Sequence, residues 1–220
     1  MRKVFWENPY QTHLDTKAAE VVGNRILFEE TIAFSFSGGQ ESDRAWVNGL
    51  PIVDSVIDGN LIYYTLEEDH GLTAGDTVTM EIEWPRRSRL MRLHFAAELV
   101  LELVTQKWGL EKIGAHIAET KARIDFISPQ NISSLFESIL ADYNAIIEKD
   151  LLIHKDFSDA QTGRRFWQIE GFAQVPCGGT HVKSTGEVGL VTLKRVNLGG
   201  GKERIEIKLV DGDKQKGTDN

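Results

Sequence analysis

The 220-residue chain is poor in the features that stiffen or anchor small proteins: one cysteine, five prolines, and no long uninterrupted apolar run. A single cysteine excludes an internal disulfide framework. No stretch approaches the ~18 apolar residues of a membrane-spanning helix. The N-terminus, Met1-Arg-Lys-Val-Phe-Trp-Glu-Asn-Pro-Tyr10, has a basic pair but no apolar signal core. A soluble, reducing, cytoplasmic setting is the expectation. Cations are also in short supply, with 25 Lys and Arg against 33 Asp and Glu and a net charge of −8. That balance excludes a non-specific nucleic-acid coat protein, but not an RNA-acting enzyme with a local basic patch. What is present is a 41% apolar fraction, enough for a proper core in one or two domains. No internal repeat or low-complexity linker interrupts it.

The one cysteine stands in Cys177-Gly178-Gly179-Thr180-His181, four positions before a histidine. Two glycines allow a tight turn, so that thiolate and imidazole can face one point, and both are good zinc ligands. Upstream, His94-Phe95-Ala-Ala-Glu98 falls in a helical segment. Positions i and i+4 share a helix face, so His94 and Glu98 supply the other half of a candidate metal site. Spacing alone leaves a second reading open, with a small buried cysteine and a hydrogen-bonded structural histidine. Arg86, Arg87, Arg89 and Arg92 cluster just before His94. They read either as a solvated helix start or as a track for a phosphate backbone beside the site.

The first part of the chain reads as β. Arg25 to Phe36 is a strand-like run ending at Ser37-Gly38-Gly39-Gln40, and Asp58-Gly59-Asn60 separates two apolar runs as a hairpin turn would. Thr77 to Trp84 alternates, with Val78, Met80, Ile82 and Trp84 on one side, and Pro85 ends it. Arg89 to Trp108, without Gly or Pro, reads as a helix closed by Gly109. Lys112–Phe126 is β-like. Ser134-x-x-Glu137 suggests a capping box opening a second helix to about Lys149. Strand signals follow at Leu151–His154, Arg165–Ile169, Leu190–Val196 and Glu203–Val210, and the polar tail from Asp211 reads as loose. The change of character near Pro85 suggests a β domain over residues 1–85 and an α+β domain over 86–220, closely packed.

Taken in order, these blocks resemble the AlaX-type trans-editing proteins, which are similar to the editing domain of alanyl-tRNA synthetase. The likeness rests on Ser37-Gly38-Gly39-Gln40-Glu41-Ser42-Asp43-Arg44, on Arg92-Leu93-His94-Phe95-Ala96-Ala97-Glu98, on Ala122-Arg123-Ile124-Asp125-Phe126, and on Pro176-Cys177-Gly178-Gly179-Thr180-His181-Val182 with Ser184–Gly189 and the closing Gly201–Ile207. It implies an α+β fold with a small β-barrel-like N-terminal domain carrying the glycine motif. An editing domain with an antiparallel sheet and two main helices follows. It also implies zinc held by His94, Glu98, Cys177 and His181, and hydrolysis in trans of mischarged tRNA(Ala), with serine or glycine as the wrong residue. Gly38, Gly39, Gln40, Phe95 and Thr180 would meet the substrate, and the arginine cluster the tRNA. No segment remains for an ATP-using aminoacylation body, so a complete synthetase is not expected.

Two departures from the family pattern stand out: Glu98 replaces a second metal histidine, and Phe95 replaces a small threonine. Glu98 has three readings. It ligates the metal, making the site neutral and a weaker Lewis acid; it acts as general base toward a water in the metal's open position; or it marks loss of the metal. Phe95 either narrows the amino-acid pocket or is a core aromatic. The rival functions are a non-catalytic, metal-containing tRNA-binding protein and a deacylase for another aminoacyl ester. Oligomeric state is left open.

Overall fold

In the computed structural model the described residues are 1–210; the tail from Asp211 lies outside the described residues. The elements run β1 Arg2–Lys3, α1 Val4–Glu7, β2 His13–Val22, β3 Arg25–Phe28, β4 Glu30–Thr31, β5 Ala45–Val47, β6 Leu50–Pro51, β7 Asp54–Asp58, β8 Leu61–Thr65, β9 Thr77–Ile82 and α2 Trp84–Trp108. Then follow β10 Glu111–Ile117, β11 Ala122–Ile127, α3 Phe136–Glu148, β12 His154–Asp159, β13 Arg164–Ile169, β14 Ala173–Pro176, β15 Val191–Gly199 and β16 Lys202–Leu209. The fold is α+β, and its sheets are antiparallel apart from the short β1–β4 pair. Among the described residues no helix is long and apolar enough to cross a membrane.

A seven-stranded sheet has the order β6-β5-β9-β2-β3-β8-β7. Its centre is β2, whose first half pairs with β9 and whose second half pairs with β3. The alternation of β9 is realised: Val78, Met80 and Ile82 are buried in one apolar cluster with Ile26, Phe28, Ile62 and Tyr64. The expected β7–β8 hairpin also forms, with Asp58 opposite Leu61 across Gly59-Asn60. The run from Arg25 to Phe36 is not one strand: it pairs only over β3 and β4, and then turns into the glycine loop.

The α2 helix begins five residues earlier than expected, because Pro85 opens it rather than merely ending the strand before it. A proline ring fixes φ near the helical value and its missing N–H is not needed in the first turn. Gly109 closes the helix in a left-handed conformation, with its N–H on the Thr105 carbonyl. This helix packs on the four-stranded sheet β10-β11-β16-β15 in a second apolar cluster that includes Leu93, Phe95, Leu99, Val100, Ile124, Phe126, Ile205 and Ile207.

Two local expectations change. The capping box at Ser134 does not form; Asn131 caps a 3₁₀ turn over Ile132–Leu135 by accepting from the Ser133 N–H, and α3 continues from Phe136. An Asx cap one turn earlier satisfies the orphan N–H groups first. Residues 112–126, read as β-like, are a hairpin, β10 and β11. Leu151–Ile153 is not a strand; backbone bonds from Ile153 to Lys183 and from Thr185 to Leu151 tie it to the loop after His181, and the strand begins at His154.

The glycine loop joins the two clusters. Gly39 accepts from the Ile117 N–H at 2.7 Å, and Glu41 donates to the Ile117 carbonyl at 3.0 Å. A Cβ on Gly39 would stand 2.7 Å from the Ala115 carbonyl oxygen. Glycine here is required for the loop to lie flat on β10.

Candidate functional site

The site is assembled from α2, the segment after β14, and the glycine loop. His94 lies midway along α2, with Glu98 one turn later. Cys177 follows β14 directly, and its N–H bonds the Arg165 carbonyl of β13 at 2.9 Å, fixing where the loop leaves the sheet. The loop then crosses the face of His94: a Cβ on Gly179 would sit 2.0 Å from His94 Cε1 and 2.5 Å from Nδ1. No side chain fits there. Gly179→Ala therefore displaces either the His94 ring or the loop. The expected result is a folded protein whose metal content, by atomic absorption, falls several-fold.

His94, Cys177 and His181 each place one ligand atom within 4.8 Å of the others. Cys177 Sγ is 3.4 Å from His94 Nε2. His181 is 2% exposed, and both its ring nitrogens are buried without a hydrogen-bond partner among the described residues. Buried ring nitrogens are almost always satisfied; in a neutral imidazole one of the two carries the proton and the other a lone pair, which is open to a cation here. Two imidazoles and a thiolate at this spacing suit a divalent metal ion of the zinc class.

Glu98 stands beside two of the three. Its Oε1 lies 3.3 Å from His94 Nε2 and 3.7 Å from Cys177 Sγ, while Oε2 accepts from the Trp167 indole N–H at 3.1 Å. Burial raises the Glu98 pKa, but His94 and the Trp167 donor outweigh it, leaving it lowered and the carboxylate ionised. Burial pushes His94 down, yet the charges of Cys177 and Glu98 more than offset this and raise it to about 10, so His94 is a cation until a metal ion binding here displaces its proton. His181 goes the other way. Burial first, then the cations His94, Lys155 and Arg165, hold it well below its ordinary value, so its ring is neutral and free to ligate.

Gln40 links the glycine loop to this centre. It is fully buried. Its Oε1 lies 2.6 Å from His94 Nδ1 and accepts from the Thr180 N–H at 3.2 Å, while its Nε2 donates to Thr180 Oγ1 at 2.9 Å. Its carboxamide is thus used inside the protein, orienting His94 and Thr180. An acceptor on Nδ1 fixes the tautomer that turns Nε2 toward Cys177 and Glu98. Thr180 is buried too, Gly38 is exposed, and Gly39 is spent on the contact with β10. Phe95 is fully buried, edge-on to Trp167 at 5.1 Å and to His181 at 5.6 Å. It walls the His94–Cys177–His181 cluster from the core side.

The arginine cluster is divided. Arg87 is 0% exposed, and its guanidinium is consumed by Asp43 and by the Pro9 and Ile32 carbonyls. Four of its five N–H groups are used in this way and the side chain is wholly enclosed, out of reach of a phosphate, so the expected tRNA contact at Arg87 is corrected to a structural tie. Arg86 is paired with Glu41 and Glu119. Arg92 donates to the Val188 carbonyl, and Arg89 is the exposed member. Patterning in the chain gave no sign of the Trp167 tether, nor of Arg165 and Lys155 behind His181. Nothing local marks them, since strand pairing alone brings them there.

Residues 165–206 match the model of the threonyl and alanyl tRNA synthetase second additional domain. The chain is 32% identical over 214 residues to the alanyl-tRNA editing protein AlaX-M of Pyrococcus horikoshii, covering 94% of this chain and 97% of that one. It is 27% identical to the AlaX-M protein of Saccharolobus solfataricus, covering 92% and 96%. Against the alanine–tRNA ligase of Methanococcus aeolicus it is 26% identical over 92% of this chain but spans only 25% of the ligase. End-to-end likeness at this level to an editing protein, together with the Cys177–His181 loop closed against His94, makes this chain a member of the AlaX-type alanyl-tRNA editing family.

Proposed function

We propose that the protein removes a wrongly attached amino acid from tRNA(Ala) in trans, as an ester hydrolase, with zinc held by His94, Cys177 and His181 and with serine or glycine as the residue removed. The observation that carries this reading is the convergence of these three donors, with two unpartnered His181 nitrogens, in a chain that matches an editing protein over nearly its whole length. Zinc, when bound, supplies a Lewis acid that polarises the ester carbonyl or the attacking water. The remaining work falls to the chain's own groups.

Glu98 is the proton acceptor in this reading. Trp167 holds one carboxylate oxygen and leaves Oε1 facing the cluster, so the ionised group can take a proton from water as it attacks the acyl carbon. The bond between the carbonyl carbon and the ribose oxygen then breaks. The ribose oxygen leaves with a proton, and free amino acid and tRNA are the products. Gln40 holds His94 and Thr180 in register, and Phe95 gives the pocket an apolar back wall that disfavours larger residues. In this reading the barrel-like unit of residues 1–85 supplies one wall of the site through its glycine loop, the editing domain supplies the other, and exposed Arg89 meets the tRNA backbone.

Deacylation of Ser-tRNA(Ala), Gly-tRNA(Ala) and Ala-tRNA(Ala) by the zinc-loaded protein tests this. Loss of serine or glycine with alanine retained is expected. Retention of all three, with tRNA still bound, would make the protein a metal-containing tRNA-binding protein instead.

A further inference from the structure

The N-terminal Met1-Arg-Lys-Val-Phe-Trp6 segment has no part in the chemistry above, yet it is built into the rim of the site. β1 pairs with β4, placing Lys3 opposite Thr31, and α1 then turns Trp6 toward the catalytic loop. The Trp6 indole N–H donates to the Gly178 carbonyl at 2.8 Å. Within Cys177–His181, Gly178 is the exposed residue. From it a cleft of about 230 Å³ runs past Trp6 and Lys3, walled by Phe34 and floored by Ser35 and Ser37.

Lys3 lies 4.3 Å from the Trp6 ring centroid. Among the described residues no carboxylate forms an ion pair with it; the nearby Glu7 is taken by Arg2. Half-burial lowers its pKa, so its ammonium is partly stripped of water. Behind Trp6, Arg165 is 7% exposed, and its Nε has no partner. Its guanidinium carbon is 5.4 Å from the Trp6 centroid, and it too has no ion pair among the described residues. In a chain of net charge −8, a cation without an ion pair on the groove, Lys3, backed by a second one behind Trp6, Arg165, is a local exception, and it suits an anion with an apolar body.

We propose that this cleft seats the 3′-terminal nucleotide of the RNA, with its ribose at Gly178, its base against Trp6, and its 5′-phosphate on Lys3. The inference rests on the deacylase reading, since an acyl carbon at the cluster obliges the ribose it esterifies to lie at the loop's exposed residue. The groove that begins there takes the rest of the nucleotide. Exposed Ser37 supplies a hydroxyl along its floor, while the Ser35 hydroxyl is held by Ser55, and Arg165 adds a positive field without touching the ligand.

The test is binding of a CCA trinucleotide to the zinc-loaded protein, followed by the ¹H–¹⁵N signal of the Trp6 indole, in wild type and in Lys3→Glu. Saturable movement of that signal is expected, with affinity about tenfold weaker in the variant at an unaltered thermal midpoint, the scale of one charge-assisted hydrogen bond. The same titration with adenosine should show weaker binding than with 5′-AMP. Equal trinucleotide affinity in Lys3→Glu, or a Trp6 indole that does not move, overturns the proposal. Binding is read without turnover. A protein that binds the trinucleotide here but hydrolyses no ester would refute the deacylase reading and leave the nucleotide cleft standing.

Discussion

Cys177→Ala is expected to lower the rate of Ser-tRNA(Ala) hydrolysis by more than about 100-fold, since loss even of an outer partner of a metal ligand costs 10–100-fold. The thiolate is the one soft donor of the cluster, and His94 and His181 alone leave a weak two-nitrogen site. The side chain is small and only half-buried, so the fold tolerates alanine and the thermal midpoint without metal should scarcely move. Metal content and single-turnover deacylation, measured on the same preparation, separate the outcomes. Loss of both supports a metal-assisted reaction. Full activity in a metal-free Cys177→Ala protein would refute it.

Replacing Arg87 should produce the largest loss of stability. Arg87 and Asp43 are 0% and 1% exposed. Asp43 Oδ1 accepts from Arg87 Nε at 2.9 Å, and Oδ2 also accepts from the Phe34 N–H at 2.7 Å. The same guanidinium reaches the Pro9 and Ile32 carbonyls, so one side chain fastens α2 to three segments of the N-terminal region. Arg87→Ala leaves Asp43 buried without its cation, a situation that costs about 3–5 kcal/mol and lowers the melting temperature by on the order of 10 °C. Arg87→Lys should recover little of it, because a point charge cannot make the planar forked contact. Thermal unfolding of the three proteins checks this. A variant with unaltered melting temperature and weakened tRNA binding would return Arg87 to the role of a phosphate contact.

The candidate ligands were legible because their chemistry is local. Cys177 and His181 are separated by a glycine pair whose turn is intrinsic to the backbone, and His94 and Glu98 share a helix face by periodicity alone. Long elements with a clean period were legible too, among them β9 and most of α2. Their ends were not, because a cap or a proline decides a boundary only in competition with its neighbours, as Pro85 and Asn131 show.

Which arginine is buried was not readable from the chain. Arg86, Arg87, Arg89 and Arg92 are alike in sequence, and only the direction each faces from α2, with Asp43 waiting on the glycine loop, separates a structural tie from an exposed cation. Gln40 changed meaning for the same reason. Its motif pointed to a substrate contact, but the glycine loop lies against β10 and drives its carboxamide between His94 and Thr180. The sequence by itself determined the α+β class and the family resemblance and pointed to His94, Cys177 and His181, which the fold brings within 4.8 Å of one another, since these follow from residue type and short-range spacing. Tertiary structure alone decided that Trp167 holds Glu98, that Gln40 orients His94, and that Lys3 and Trp6 border Gly178. Those contacts join residues far apart in the chain, and their energy depends on burial and geometry that exist only once the sheets have closed on α2.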